Sequence, residues 1–369
     1  MEKELLIPSG SVLLNLACSD TWRGAFRPGR IVNIIGDSSA GKTLLALSMF
    51  AEMSVRPEFD GYRFIYDDAE HALDFDLESV VGEDCVSRIE PPATDDGEPV
   101  NSNTVQDFQY FVMKAIEEGK PFVYVLDSLD SLTTREEQDY VKDKLQALRE
   151  GKQVSGTYGT EKAKWLSQIL RSIVAEVEKT KSLVVIISQT RDEISPMSFV
   201  QKTRAGGRAL KFYSSHEIWL TVGQKLKKTV SGRDYTIGTQ VIAKVTKNKL
   251  TGKLREVTFP IYYSYGVDDV QACLDFLTKV GVAKKSGSKI KIEELGLEGM
   301  RKAVIKEVEE KGLWEDLFDL TEKAWNDIES KLADEFAGRV PKYRRFRRKE
   351  AKTLDESEGS QEEQDGRTT

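Results

Sequence analysis

Two patterns alternate along the chain. Short apolar runs end at a turn or acidic residue, and between them apolar residues recur with helical spacing. "RIVNII" (Arg30–Ile35) stops at a glycine and reads as a strand, and "TLLALSMFAEM" (Thr43–Met53) as the helix after it. "YRFIYD" is a second strand, "TVQDFQYFVMKAIEE" (Thr104–Glu118) an amphipathic helix and "PFVYVLD" (Pro121–Asp127) a fully buried strand. A long helix over Lys162–Lys179 precedes another buried strand, "LVVIIS" (Leu183–Ser188). Apolar strands separated by helices predict an α/β fold with a mainly parallel sheet covered on both faces. Past residue 215 the period changes to two, in "HEIWLTV", "TQVIAKVTKNK" and "LREVTFPIYYSYG", which predicts antiparallel strands added at the sheet edge. From Val267 the pattern predicts a small, mostly helical C-terminal α+β region with one short strand, "KIKIEEL". There is no internal repeat.

Composition narrows the setting. The 369 residues are 39% hydrophobic and 31% charged, and no run of about 18 apolar residues predicts a membrane span. "MEKELLIPSGSV" lacks the basic then apolar build of a secretion signal. Three scattered cysteines without CxxC spacing fit buried thiols in a reducing cytoplasm, and two histidines leave little material for zinc. The net charge of −7 argues against a wholly electrostatic nucleic-acid binder. It conceals a strong asymmetry, however: "PKYRRFRRKEAK" (Pro341–Lys352) holds seven Lys/Arg, and "LDESEGSQEEQD" (Leu354–Asp365) six acids and no base. Past Lys342 this composition predicts disorder. The basic run reads equally as a phosphate contact or as a solvated tail.

The clearest chemistry lies between the first strand and its helix. "GDSSAGKT" comprises Gly36, Asp37, Ser38, Ser39, Ala40, Gly41, Lys42 and Thr43, with Leu44 opening the helix, and satisfies GxxxxGK[ST] in strand–loop–helix context. Its glycines let successive amides face phosphate oxygens, Lys42 brings a cation to the β/γ-phosphates, and Thr43 offers a hydroxyl to Mg²⁺. The expected cofactors are therefore ATP and Mg²⁺. Asp127, ending a buried strand in "VYVLDSLDS", is the acid such a site needs near the metal, with a helix-capping acid as the alternative. Two further strands end in polar residues that a parallel sheet would bring to the same edge. They make Glu70, in "FIYDDAEHALDFD", a candidate for activating water and Gln189 a candidate γ-phosphate sensor. Glu70 could equally be a solvated loop acid, and Asp67, Asp68, Glu70 and His71 form a competing metal set. The charged segment Thr133–Gly159 reads as an insertion at the carboxyl end of a central strand, either a surface loop or a ligand contact.

"AEHALD" (Ala69–Asp74), "AGGRALKFYSS" (Ala205–Ser215) and "KVTKNKL" (Lys244–Leu250) follow the P-loop in this order, and "SGSVLLNLA" and "FRPGRIVNIIGDSSAGKT" lead into it. Over residues 8–265 the chain resembles bacterial and phage RecA-like recombinases, P-loop ATPases. The resemblance implies that Glu70 activates water, Asp74 touches the adenine and Gln189 opens a second DNA-binding loop at 190–208. In that loop Arg191, Phe199, Lys202, Arg204 and Arg208 would meet DNA. The insertion at 133–159 would take the place of the first loop. Lys247 and Lys249 would reach a neighbour's ATP, and Phe212 would sit at that interface. The implied partners are single-stranded DNA, duplex DNA as a second candidate, and further copies of the chain. The domains expected are a lead-in (1–29), an ATPase core (30–266), a small C-terminal domain (267–340) and a tail (341–369).

Some positions depart from the family pattern. Only residues 1–8 precede "SGSVLLNLA", so the family's N-terminal docking helix and strand are expected to be missing. Leu77 stands where an aromatic would stack on adenine, with Phe75 nearby. Two acids, Asp192 and Glu193, stand at the start of the second loop. These departures leave an alternative, an accessory or regulatory ATPase without strand exchange. A hexameric helicase-type motor is the third reading.

Overall fold

The computed structural model describes residues 5–74, 76–150, 161–192, 202–204, 207–335 and 338–340. Its centre is β1 (Arg30–Gly36), six of whose seven residues are buried, as a strand covered on both faces requires. In chain order the helix α1 (Val12–Ser19) precedes β1, and α2 (Lys42–Ser54) and β2 (Arg63–Asp68) follow it. Two short helices, α3 (Leu77–Val81) and α4 (Glu83–Val86), lead to β3 (Ile89–Glu90) and a hairpin of β4 (Ala93–Asp95) and β5 (Glu98–Val100). Then come α5 (Val105–Glu117), β6 (Phe122–Asp127), α6 (Arg135–Arg149), α7 (Glu161–Lys179), β7 (Leu183–Asp192), β8 (Lys202–Arg204) and α8 (Gly207–Tyr213). The antiparallel strands are β9 (His216–Val230), β10 (Arg233–Asn248), β11 (Glu256–Tyr262) and β12 (Gly266–Val267).

These strands make one ten-stranded sheet, ordered β12-β11-β10-β9-β1-β7-β6-β2-β3, with β8 paired to β7. From β9 to β3 the neighbours are parallel; β10, β11 and β12 are antiparallel, as the change of period predicted. Alternation sends side chains to two separate cores. Val32, Ile34, Val123 and Val125 join the core that contains residues of α1 and α2; Ile31, Tyr124 and Leu126 join the one containing residues of α5 and α7. Helix starts follow the local chemistry. Thr104 with Asp107, and Thr134 with Glu137, close capping boxes at α5 and α6.

Residues before β1 are part of the packing: seven of the eight residues of α1 are buried, and Val12 N donates to Asp269 Oδ1 at 2.8 Å. After β12 come α9 (Asp269–Val280), β13 (Lys284–Ser286), β14 (Lys289–Ile292), β15 (Leu297–Met300), α10 (Arg301–Glu310) and α11 (Trp314–Asp334). The single strand expected here is the middle of three, because "KKS" and "LEGM" are too short and polar to show a period and become strands only by pairing with β14. Residues up to Trp325 form one compact unit. A second unit starts at Asn326, and its described part is the end of α11 and residues 338–340. The basic and acidic tail lies outside the described residues.

Candidate nucleotide site at the carboxyl edge of the sheet

Register brings the polar strand ends together. Gly36 pairs with Gln189 across β1 and β7, and Asp68 with Asp127 across β2 and β6, so these ends share one edge of the sheet. The P-loop turns from that edge into α2. Gly36 has no room for a side chain, since a Cβ there would lie 2.7 Å from Leu220 O. Gly41, at φ +84°, holds a left-handed turn that only glycine adopts without strain. Lys42 is buried and its Nζ donates to Asp37 O at 2.7 Å, folded over the loop. Burial lowers its pKa, opposed by the charges of Asp127, Glu70, Asp130 and Asp37.

Thr43 Oγ1 donates to Asp127 Oδ2 at 2.5 Å, and Tyr66 OH to the same oxygen at 2.7 Å. Burial raises the Asp127 pKa, while those two donors and Lys42 favour the carboxylate. A hydroxyl beside a carboxylate is a set of hard oxygen donors, the chemistry that suits Mg²⁺. The next peptide bond, Asp127–Ser128, is cis. Ser128 Oγ donates to Glu70 Oε1 at 2.5 Å, and Gln189 Nε2 donates to the same oxygen at 2.8 Å. Gln189 is itself held from behind, its N–H donating to Asp130 Oδ2 at 2.7 Å, and Thr190 Oγ1 donates to Asp37 Oδ1.

Of the acids around Glu70, Asp67 is fully buried and accepts from Ser102 N (2.8 Å), Ser102 Oγ (2.6 Å) and Tyr124 OH (2.6 Å). Asp68 accepts from the N–H groups of Ala72 and Leu73, closing the loop that follows. Both carboxylates are engaged structurally, and among the described residues no group of three or more His, Cys, Asp or Glu side chains gathers as a metal site. Asp74 and His71 are exposed in the same loop, and Phe75 lies outside the described residues.

Other candidates lie elsewhere. β7 runs on to Asp192 and pairs with β8, Thr190 opposite Arg204 and Asp192 opposite Lys202. The loop expected to open at Thr190 is thus hairpin-stemmed, because backbone pairing carries the strand past its apolar run. Arg191, Lys202 and Arg204 belong to that stem, Arg208 is exposed in α8, and Phe199 lies outside the described residues. The helical look of the insertion is α6, from which no residue is buried.

Lys247, Lys249 and Phe212 are together but at the opposite end of the strands. Lys247 pairs with Glu217, which in turn pairs with Asn33, three residues before Gly36. That level lies about 10 Å along β1 from the P-loop. Lys247 Nζ donates to Lys211 O and, at 3.1 Å, to Phe212 O; Lys249 Nζ lies 3.4 Å from Phe212 O. The Phe212 ring stands 71% exposed beside them.

Sequence reasoning missed Tyr66, Ser128 and Asp130. Tyr66 sits in an apolar strand and looks like core. The acid-ended "VLDSLDS" does contain Ser128 and Asp130, and a polar pair after such a strand was the available signal.

A phosphate-binding loop between β1 and α2, with the acid-ended β6 one strand beyond β7 in the same sheet, defines a P-loop ATPase. The chain also matches the family model of the RecA N-terminal domain over residues 2–268. It is 33% identical over 285 residues to Protein RecA of Bartonella quintana, covering 76% of this chain and 72% of that one. Protein RecA of Brucella anthropi is 32% identical over 284 residues (76% and 69%). Protein RecA of Streptococcus gordonii is 28% identical over 289 residues (78% and 68%). The chain belongs to the RecA family, the recombinases of homologous recombination and DNA repair. The family uses nucleotide and Mg²⁺, and its relatives do not favour the accessory-factor alternative. Among the described residues no helix is long and apolar enough to cross a membrane.

Proposed function

We propose that the protein is an ATP-dependent, single-stranded-DNA-binding recombinase whose nucleotide pocket communicates with DNA through Gln189. One observation carries this reading. Gln189 donates to Glu70 through its side chain, and its strand continues unbroken into the stem of the loop at 190–208. A group that touches the water-orienting acid and immediately precedes a DNA loop can transmit a change at either end. We assign residues 30–266 to the ATPase core and 267–340 to a small C-terminal domain.

The amides of Gly36–Thr43 bind the phosphates, Leu44 extends that cradle into α2, and Asp74 meets the adenine. Thr43 and Asp127 would hold Mg²⁺, which when bound offsets phosphate charge. Glu70, fixed by Ser128 and Gln189, orients the attacking water, whose proton it accepts as the bond from the γ-phosphorus to the β–γ bridging oxygen breaks. Lys42 offsets the charge developing on the transferred group. Lys247 and Lys249 are too far along the sheet to help their own site, so they serve a neighbour's nucleotide with Phe212 at the contact. DNA is held by Arg191, Phe199, Lys202, Arg204 and Arg208, with the insertion at 133–159 as the first loop.

The test is ATP turnover with and without single-stranded DNA, together with Glu70→Gln. DNA should raise turnover. Glu70→Gln should lower it by about 10²–10³-fold while ATP and DNA stay bound. Turnover indifferent to DNA, with no oligomer in a non-hydrolysable ATP analogue, defeats the reading.

A further inference from the structure

Between Asp127 and the insertion, Leu129–Ser131 form a 3-10 turn whose residues reach the site twice. Ser128 Oγ, just before the turn, donates to Glu70 Oε1, and Asp130 Oδ2 accepts from the Gln189 N–H. Gln189 Nε2 donates to the same Glu70 oxygen, so Glu70, Ser128, Asp130 and Gln189 close into a ring of contacts. The Glu70 N–H also donates to Asp127 O at 3.1 Å. Where the turn lies therefore sets where Glu70 points.

So short a turn has little hold on itself. Its own backbone bonds, Ser131 N to Ser128 O at 3.2 Å and Leu132 N to Leu129 O at 3.4 Å, are long. Ser128, Leu129 and Leu132 are buried, which leaves the carbonyls of the turn to find partners within the protein. Lys162, the second residue of α7, supplies one. Its Nζ donates to Leu129 O at 2.7 Å and to Leu132 O at 2.5 Å, and lies 3.4 Å from Asp130 O. An ammonium carries three donors on a flexible stem, which suits converging carbonyls.

The position of Lys162 in the chain adds to this. The insertion at 133–159 separates it from the turn, so its bond to Leu132 O closes the base of that segment. Beside it, Thr133 N donates to Asn103 O and Val105 N to Thr133 O. A neck pinned at both ends lets the insertion move without dragging the turn that aims Glu70.

We propose that Lys162 is a positioning residue for ATP hydrolysis. It fixes the turn at 128–132 and, through Ser128 and Asp130, the orientation of Glu70 and Gln189. The proposal rests on the reading above that Glu70 orients the attacking water. Phosphate and Mg²⁺ are held by other residues, so its effect falls on turnover and not on ATP binding.

The experiment measures kcat and the KM for ATP, with single-stranded DNA present, well below each variant's melting temperature. Lys162→Met keeps the stem and removes the donors. Misplacing a catalytic group by about 1 Å can cost about 10²-fold, so kcat should fall about 10–10²-fold with the KM unchanged. Lys162→Arg keeps a cation that can donate to the same carbonyls and should recover most of the turnover. Asp130→Asn should lose less, and the double variant Lys162→Met with Asp130→Asn no more than Lys162→Met alone, because both act through one turn. A wild-type kcat in Lys162→Met, a loss confined to the KM, or losses that multiply in the double variant overturn the assignment. Wild-type turnover in Glu70→Gln overturns the underlying reading instead.

Discussion

At the carboxyl ends of the parallel strands the functional side chains contact one another. Thr43 and Tyr66 converge on Asp127, and Ser128 and Gln189 on Glu70. At the amino ends, Lys247 and Lys249 rest instead on the last carbonyls of α8, and the apolar Phe212 ring faces solvent beside them. Helix-end carbonyls hold a cation only weakly, by typically less than 1 kcal/mol at an exposed site. The carboxyl end therefore completes itself within one chain, whereas the amino end displays two cations and an aromatic that a second copy can use.

The largest expected effect breaks or confirms that division. Lys247→Ala with Lys249→Ala should lower turnover by about 10²–10³-fold while nucleotide binding persists. Mixing this variant with Glu70→Gln protein should restore part of the turnover, because some interfaces then pair an intact Glu70 with intact lysines. Titrating one into the other and finding no recovery would remove the trans assignment.

A smaller effect is expected inside the self-completed end. Tyr66→Phe removes one of two donors to Asp127 and leaves Thr43 alone on a buried carboxylate. A hydrogen bond to a charged group contributes about 1.5–3 kcal/mol, so the Mg²⁺ concentration for half-maximal turnover should rise about tenfold or more. An unchanged Mg²⁺ requirement would mean that the carboxyl end does not depend on this contact.

The smallest effect concerns the far end of the P-loop helix. Glu52 and Asp269 line a cavity of about 540 Å³ that also contains Trp22 and Trp314. Burial raises the Glu52 carboxyl to about 7 against the pull of Arg56, and raises that of Asp269 to about 8, with the Glu52 charge adding to it. Both folded values exceed the ordinary 4.5 and 3.8, so the folded chain keeps protons that the unfolded chain releases. Stability is then fully present below about pH 4 and is lost as pH rises through about 8. The melting temperature should fall by several degrees between pH 5 and pH 8.5, and Asp269→Asn should flatten that fall. A melting temperature that rises across this range would show that the pair is charged in the fold, like the acids of the carboxyl end.

Legibility in the sequence followed how local each feature is. The P-loop occupies eight consecutive residues and works through its own backbone, so its pattern was sufficient. The centre of the parallel sheet was legible because β1, β6 and β7 each carry a continuous apolar run. The outer half of β9 was not: "GQKLKKTV" has no apolar face, so a period-two reading ends β9 at Val222. Its strand character comes from pairing with β10.

The acids of "FIYDDAEHALDFD" show where that limit lies. By itself the sequence determined the fold class, the phosphate loop and the set of carboxylates available to the site, because these depend on residue type and short-range spacing. Only the tertiary structure decided that Asp67 is tied to Ser102 and Tyr124, that Glu70 faces Gln189, and that Lys247 and Lys249 lie at the wrong end of the sheet for their own nucleotide. Those outcomes depend on the register between strands far apart in the chain, and one residue of slip would turn each side chain to the opposite face.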